Sequence, residues 1–351
     1  MEKLSKRRAE IVEFIRKKRS VGNLEIKQFI EKQFGAVSRI TIVRELDALL
    51  KFGIIKKEGE GRAVKYSEAL TNKLLTYFDP AAYFRKGPDE RAVTFEQFNF
   101  EALNKLQGIF SNIEILNLGK ANSDYQKRIK KLPPAIIKKE IERLTTELSW
   151  KSSQIEGNTY TLIDTEILLK EHKEAKGHKK AEATMILNHK TALDYIFSRS
   201  GDFKQIDLRK VENIHSLLVN GLGVSRGLRK NIVGITGTRY RPLDNQYQIR
   251  EATEKAIKMI NGLKDPFSKS LASMLIVSYI QPFEDGNKRT SRLLGNAILA
   301  AHSVCPLSFR SIDEGDYKKA MILFYEQNSA RFFKELFVKQ FKFSVENYFR
   351  A

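Results

Sequence analysis

A succession of amphipathic segments from residue 134 onward is the feature that most constrains the fold of this 351-residue chain. Apolar residues recur there every three or four positions, which is the period of an α-helix. The segments read PPAIIKKEIERLTTELSWKSSQIEG, DTEILLKEHKEA, AEATMILNHKTALDYIFSR and LRKVENIHSLLVNGL, and further helical patterns cover 251–263, 268–280, 287–302 and 315–349. We therefore expect a mainly α-helical protein.

One stretch interrupts the helical pattern. Around residues 226–250 the chain reads RGLRKNIVGITGTRYRPLDNQYQI, which is rich in glycine and β-branched residues. Such a composition is typical of extended segments joined by a tight turn. We therefore expect a β-hairpin here.

The first 70 residues have their own pattern. Amphipathic helices are predicted over 4–19 and 24–34, and a third over 38–51, which Ser38 can cap and Gly53 can end. The apolar stripe of the third helix comprises Ile40, Ile42, Val43, Leu46, Leu49 and Leu50. IIKKEGEGRAVKYSE then reads as strand, turn and strand. Three helices followed by a basic hairpin predict a small winged helix-turn-helix domain over 1–70.

This domain predicts a DNA interface. The third helix would be the recognition helix in the major groove, and the hairpin would be the wing. The candidate DNA-binding residues are Ser38, Arg39, Thr41 and Arg44 on the helix and Arg62 and Lys65 on the wing. The alternative is a three-helix domain that serves only dimer or domain contacts, so a second copy of the chain is a further candidate partner.

Between the two helical regions, residues 71–130 have a mixed pattern. They include DPAAYF, RKGPDER and NFEALNKLQGIF. We interpret them as a linker with irregular helices, which leaves 131–351 as the main domain.

Charge and cysteine content exclude several classes of protein. The formal net charge of +20 suggests an anionic partner, but basic residues are spread over the whole chain and locate no site. The single cysteine, Cys305, rules out an internal disulfide framework and a cysteine-based zinc cluster. It fits a reducing compartment, so we expect a cytoplasmic protein.

No membrane association is predicted either. The longest apolar runs, such as LASMLIVSYI at 271–280, are about half the roughly 20 residues of a spanning helix. The first ten residues, MEKLSKRRAE, contain no apolar stretch of the kind a secretory signal requires.

Most of the chemical information lies in QPFEDGNKRTSRLLGNAILAA, residues 281–301. Pro282 stops one helix, Gly286 permits a tight turn, and the next helix begins near Asn287. Backbone N–H groups at a helix N-terminus bind phosphate, and Lys288, Arg289 and Arg292 add positive charge there. Cations at a helix start are unfavourable for the helix alone, so their position suggests a bound anion. Asp285 supplies an oxygen ligand suited to Mg²⁺.

This segment resembles the signature HPFx[D/E]GNxRxxR of the Fic (Fido) family. Pro282, Phe283, Asp285, Gly286, Asn287, Arg289 and Arg292 match it in register. The resemblance extends over about residues 130–349. It implies a helical core with a β-hairpin flap and an enzyme that transfers AMP from ATP to a hydroxyl side chain of a protein.

The resemblance also implies roles for individual residues. Asp285 would bind Mg²⁺, Asn287 and Arg289 would hold phosphates, and Arg292 would contact the γ-phosphate, with Gly286 and Lys288 completing the nucleotide site. The flap would be 226–243, where Gly234, Ile235, Thr236, Gly237 and Thr238 would hold a target peptide as an added strand.

The sequence departs from the family at the first motif position, where Gln281 replaces histidine. In the family that histidine is the general base for the attacking hydroxyl. A glutamine amide does not titrate near neutral pH, and losing a general base costs about 10²- to 10⁴-fold in rate. Nucleotide binding could therefore survive where AMP transfer is weak or absent. His215, on an apolar helix face, is interpreted as structural.

A second segment, SSQIEGNTYTL at 152–162, resembles the inhibitory helix of the same family, [ST]xxxE[GN], through Ser152, Glu156 and Gly157. Ser152 and Glu156 are four residues apart, so the serine could orient the carboxylate. The resemblance implies that Glu156 pairs with Arg292 and occupies the space of a productive γ-phosphate. We expect this inhibitory helix near 145–157.

Three hypotheses follow from the sequence. The first is an ATP- and Mg²⁺-binding protein of the adenylyltransferase class, inhibited by Glu156. The second is a DNA-binding regulator whose Fic core senses nucleotide without catalysis. The third is an enzyme that transfers a phosphate-containing group slowly, or by a route that needs no base at position 281.

Overall fold

The computed structural model describes residues 5–51, 53–69 and 72–350, except the side chain of Arg62. The chain divides into two compact units, residues 1–83 and 84–351. No helix among the described residues combines the length and the apolar character that spanning a bilayer requires.

The N-terminal unit contains the three helices and the hairpin that the sequence predicts. They are α1 (Lys6–Lys18), α2 (Asn23–Phe34) and α3 (Arg39–Lys51), with strands β1 (Val21–Gly22), β2 (Ile55–Glu58) and β3 (Lys65–Glu68) and a short α4 (Pro80–Tyr83). β3 lies between β1 and β2 and pairs antiparallel with both. The sequence did not predict β1.

The core of this unit is built from the inward faces of the three helices. It includes Ile11, Ile15, Val21, Ile26, Ile30, Ile42, Leu46, Leu49, Ile55 and Tyr66. Two residues of the predicted apolar stripe on α3 are exceptions, because Ile40 is 66% exposed and Val43 is 40% exposed. The expectation that both pack in the core was therefore wrong. A 13-residue helix on one side of a small core buries only a narrow stripe, and these two positions lie outside it.

The C-terminal unit is built from helices joined by loops. Its helices are α5 (Glu101–Asn104), α6 (Asn112–Ile129), α7 (Pro134–Ile155), α8 (Leu162–Glu171), α9 (Lys180–Ser198), α10 (Leu208–Leu218), α11 (Gln246–Gly262), α12 (Pro266–Ile280), α13 (Asn287–Ala301), α14 (Glu314–Gln327) and α15 (Arg331–Asn347). The mainly α fold class is thereby confirmed.

Residues 84–130 are more regular than a linker. They contain the 18-residue helix α6, which begins with a capping box formed by Ser111 and Glu114. Buried apolar residues and Arg91, whose guanidinium donates to Glu326 at 2.7 and 3.0 Å, attach this segment to the rest of the unit. The Pro- and Gly-containing turns before α6 concealed its ordered packing in the sequence.

The helix predicted over 315–349 is two helices. Asn328, with a left-handed φ of 48°, ends α14, and α15 starts at Arg331. Asparagine tolerates this conformation better than most residues, so the break has a local cause.

Helices α12 and α13 form the centre of the unit, and the motif joins them. Nearly every residue of both helices is buried. They approach closely at Gly295, where an added Cβ would lie 2.8 Å from Cγ of Met274 and 3.1 Å from Oγ of Ser270. This close contact holds the two ends of the 281–287 loop in a rigid frame.

The expected β-hairpin at 226–243 is not formed. These residues include no strand, and the segment is an extended loop with one isolated bridge between Gln97 and Arg241. The buried Arg229 explains the difference. Its guanidinium donates to the backbone carbonyls of Gln281, Asn231 and Leu243, so side-chain contacts hold the loop in place of cross-strand pairs.

Candidate functional site

The loop between α12 and α13 has a tightly constrained backbone. Gln281, which ends α12, has a left-handed φ of 52°, and Gly286, which precedes α13, has a φ of 77°. A Cβ at Gly286 would also lie 3.3 Å from Val219. Both the dihedral and the space therefore favour glycine at this position.

Asn287 fastens this loop to the start of α13. Its Oδ1 accepts a hydrogen bond from the backbone N–H of Phe283 at 2.9 Å, and its Nδ2 donates to the Phe283 carbonyl at 2.8 Å. The same Nδ2 lies 2.9 Å from Oε1 of Gln281. Asn287 is thus engaged in positioning the loop.

Both polar atoms of the Gln281 side-chain amide are hydrogen-bonded. Its Nε2 donates to the Ser278 carbonyl at 2.6 Å, while its Oε1 accepts from Asn287. Position 281 therefore contributes a neutral, fixed amide at the edge of the loop. It contains no group that could take a proton at neutral pH.

His215, on α10, supports the loop from behind. Its ring stacks on Phe283 with centroids 3.8 Å apart, and its Nε2 is 3.0 Å from the Asp285 carbonyl oxygen. Burial is the main reason that the pKa of His215 falls to about 4. The imidazole is neutral at physiological pH, in agreement with a structural role.

The two motif arginines differ in their partners. Arg289 is 2% exposed, and its Nη2 donates to Oδ2 of Asp285 at 2.9 Å. Arg292 is fully buried and donates from Nε to Oγ of Ser152 at 3.0 Å and from Nη2 to the Ser152 carbonyl at 2.9 Å. In both residues Nη1 is buried with no hydrogen-bond partner.

Glu156 completes this cluster from the end of α7. Its Oε1 lies 2.9 Å from Nη2 of Arg292, and its Oε2 lies 3.7 Å from Nζ of Lys288. The next residue, Gly157, has a φ of 93° and turns the chain away. Residues 136 positions apart in the sequence thus form one ion pair.

The predicted role of Ser152 needs correction. We expected its hydroxyl to orient the Glu156 carboxylate, because the two residues are four apart. The hydroxyl instead accepts a hydrogen bond from Arg292. Glu156 lies just beyond the last helical residue of α7, so its side chain no longer follows the helical spacing.

Opposing effects act on the Glu156 carboxyl. Burial, the largest effect, raises its pKa, but Arg292, Lys288 and Arg289 outweigh burial and hold the pKa below the usual value. Glu156 is therefore ionised at neutral pH and is a carboxylate that faces three cations.

A pocket of about 360 Å³ opens beside this cluster. It is lined by Glu156, the loop 281–288, residues 233–236 and one face of α14. From α14 come Tyr317, Lys318, Met321, Ile322 and Tyr325, which the sequence analysis missed. The Arg292 guanidinium lies 5.1 Å from the Tyr317 ring centroid. The one signal in the sequence for these five α14 residues was their helical spacing, which is equally typical of residues in a hydrophobic core.

The five residues predicted to dock a target fall into two groups. Gly234, Ile235 and Thr236 line the pocket. The other two are not among the lining residues and instead hold the loop: the Gly237 carbonyl accepts from Arg91, and the Thr238 hydroxyl donates to Glu326 at 2.7 Å.

The predicted DNA-binding residues lie on the N-terminal unit. Ser38 caps α3, as expected, by accepting from the backbone N–H of Thr41 at 3.1 Å, and the two hydroxyls are 2.9 Å apart. Arg39, Arg44 and Lys65 are exposed. The side chain of Arg62 lies outside the part of the chain that the structure describes.

Taken together, the C-terminal unit is a helical domain with buried, incompletely paired arginines at a helix start beside a pocket. Cations at a helix start have the chemistry that attracts anions. Residues 205–299, which contain the loop, match the Fic/DOC family. The chain therefore carries a Fic/DOC-family domain.

Relatives and solved structures agree with this assignment. The chain is 26% identical over 244 residues to the protein adenylyltransferase Fic of Nematostella vectensis, covering 65% of this chain and 55% of that protein. It is 30% identical over 100 residues to a probable protein adenylyltransferase of Aquifex aeolicus, covering 28% of this chain and 31% of the relative. The chain thus spans about half the length of the Nematostella relative and about a third of the length of the Aquifex relative.

Among solved structures, a Fic-domain signalling protein from Bacteroides thetaiotaomicron matches with a TM-score of 0.56 and 19% identity. The match covers 66% of this chain and 94% of that one. At 19% identity, this structural likeness establishes the fold alone.

Proposed function

We propose that this chain binds ATP with Mg²⁺ at the start of α13 and belongs to the protein adenylyltransferase class, with Glu156 as an internal inhibitor. The contact between Glu156 and Arg292 carries this proposal. Relatives named protein adenylyltransferase support the choice of reaction.

The residues present fit a polyphosphate. Arg289 and Arg292 each leave a buried Nη1 donor without a hydrogen-bond partner, and buried unpaired donors of a charged group are costly. Phosphate oxygens would satisfy them. Lys288, less than 4 Å from Glu156, would be a third phosphate contact once the carboxylate moves away.

Mg²⁺ fits less completely. The Asp285 side chain is 67% exposed beside the pocket and offers carboxylate oxygens, although one of them already pairs with Arg289. Among the described residues there is no cluster of three or more candidate metal ligands. Asp285 would therefore hold Mg²⁺ together with phosphate oxygens, and the ion would neutralise phosphate charge.

The transfer itself would join a target hydroxyl to the α-phosphorus of ATP and release pyrophosphate. The hydroxyl proton must leave, and the neutral amide of Gln281 cannot accept it. We therefore propose that the chain binds nucleotide well once Glu156 is displaced but transfers AMP slowly, by roughly the 10²- to 10⁴-fold factor of a lost general base.

Transfer from α-labelled ATP tests this proposal in four chains: wild type, Glu156→Gly, Gln281→His and the double variant. We expect labelling only near background in wild type and the strongest labelling in the double variant. Glu142→Gln, an exposed carboxylate on α7, is the control and should match wild type. Strong labelling by wild type, or none by the double variant, would contradict the proposal.

A second function, DNA binding, is favoured by the surface of the N-terminal unit. Arg39, Arg44 and Lys65 are exposed, and none of them forms an ion pair with another described residue. Free cations on a predicted recognition helix and wing suit phosphate contacts. The affinity of the chain for duplex DNA should fall steeply with salt; binding that is insensitive to salt would count against this function.

A further inference from the structure

The outward face of α3 is apolar as well as basic. Ile42, Leu46 and Leu49 are buried in the core, whereas Ile40 is 66% exposed and Val43 is 40% exposed. These two residues are three positions apart, so they share one helix face. Exposed large aliphatic side chains that are grouped in this way commonly mark an interaction surface.

Of these two residues, Val43 borders a groove. Its volume is about 880 Å³, and it runs between the start of α2, α3 and residues 61–65. Leu24, which is 67% exposed, and Val64 extend its apolar lining, and Lys27, Arg39 and Lys65 contribute charge. The lining also includes the carboxylate of Glu25, and Lys27 pairs with Glu31 at 3.4 Å, so Arg39 and Lys65 supply the unpaired charge of the groove.

Charge favours a polyanion as the occupant. Two cations of α1 are paired, Arg16 with Glu68 at 2.7 Å and Arg8 with Glu45. Arg39, Arg44 and Lys65, by contrast, have no ion-pair partner among the described residues. A DNA duplex offers phosphates on both margins of its major groove and base edges between them.

We propose that α3 reads thymine in the major groove through Ile40 and Val43, while Arg39, Arg44 and Lys65 contact the flanking phosphates; this inference rests on the proposed DNA binding. The hydroxyls of Ser38 and Thr41 are hydrogen-bonded to each other. The side chains of this turn that remain to contact base edges are therefore the alkyl groups of Ile40 and Val43. The base feature that an alkyl group recognises in the major groove is the thymine methyl.

The test uses the whole 351-residue chain. A random duplex library is selected for binding, and the enriched duplex is then compared with copies in which single thymines are replaced by uracil, which lacks the methyl group. We expect about three- to fivefold weaker binding for each contacted methyl that is removed. The double variant Ile40→Ala/Val43→Ala should bind the thymine and uracil duplexes equally.

Lys65→Ala is the control variant. It should weaken binding to both duplexes alike and make the salt dependence shallower by about one counterion. Thermal melting of each variant checks that the N-terminal unit is folded. Because Ile40, Val43 and Lys65 are all exposed, we expect the variants to fold.

The outcomes distinguish a failure of the proposed DNA binding from a failure of thymine recognition by Ile40 and Val43. If no sequence is enriched and no duplex binds, DNA binding itself is wrong and the inference falls with it. If a thymine-containing duplex is enriched but Ile40→Ala/Val43→Ala keeps its preference for thymine over uracil, only the inference is overturned. If the double variant instead turns a dimeric chain into a monomer, the face is a protein interface, which also overturns it.

Discussion

Oε1 of Glu156 lies 2.9 Å from Nη2 of Arg292, although the two residues are 136 positions apart. The carboxylate comes from the end of α7 and the guanidinium from the second turn of α13. Since Arg292 is fully buried, this ion pair and the contacts with Ser152 hold the guanidinium in one orientation. Displacing Glu156 would leave a positioned cation facing the pocket.

Ser152 should be needed for stability because it holds Arg292. In Ser152→Ala the buried Nε of Arg292 loses its acceptor, which should cost about 1–3 kcal/mol in the free energy of unfolding. Urea unfolding measures this cost.

The neighbouring Ser153 provides a matched control. It is equally buried, but its hydroxyl has no hydrogen-bond partner. Ser153→Ala removes a buried hydroxyl that has no partner, so it should be neutral or stabilising by up to about 1–3 kcal/mol. Equal losses in the two variants would argue against a specific role for Ser152.

The buried His215 predicts a dependence of stability on acid pH. Its pKa is about 4 in the folded chain against 6.5 for a free histidine, so the unfolded state binds the proton first as the pH falls. The contribution of the neutral His215 to the free energy of unfolding is fully present above pH 6.5 and decreases as the pH falls from 6.5 to about 4. The total decrease is about 3 kcal/mol.

Unfolding experiments at several pH values test this dependence. His215→Gln should be less stable at neutral pH but should show a shallower loss between pH 6.5 and 4. His172→Asn, at an exposed histidine with a left-handed backbone, should keep the wild-type slope. An unchanged slope in His215→Gln would show that other groups cause the dependence.

The contact of α12 with α13 should not tolerate a larger residue at Gly295. In Gly295→Ala the new methyl group would meet Met274 and Ser270, and overpacking of this kind costs about 1–3 kcal/mol. Gly119→Ala, in α6, has open space around it and should be neutral or stabilising by up to about 1 kcal/mol. Thermal unfolding of both variants decides between these outcomes.

Local sequence predicted much of the fold but little of its long-range assembly. Helical periodicity located the helices, and 281–292 form one site because they are neighbours in sequence. The pairing of Glu156 with Arg292 was expected from the family resemblance, since no local pattern links distant residues. Tyr317 and Tyr325 were missed because an aromatic residue that lines a pocket has the same helical spacing as one in a core.

The loop at 226–243 shows why a composition can mislead. Glycine and β-branched residues indicate extended backbone rather than helix, and the segment is a loop outside the helices. The sequence could not show that the buried Arg229 would take up carbonyl groups that a hairpin would need. The same holds for α3, where periodicity marked Ile40 and Val43 as apolar but could not say which residues a small core would leave outside.

The central claim is that Glu156 occupies the position of a nucleotide phosphate on Arg292, and ATP affinity tests it most directly. Calorimetric titration of ATP with Mg²⁺ into wild type, Glu156→Gly and the control Glu142→Gln compares the three dissociation constants. We predict that Glu156→Gly binds ATP about 10- to 100-fold more tightly than wild type, because the ion pair that competes for Arg292 is removed, and that Glu142→Gln does not. This change corresponds to about 1.4–2.8 kcal/mol. Equal affinities in Glu156→Gly and wild type would contradict the account.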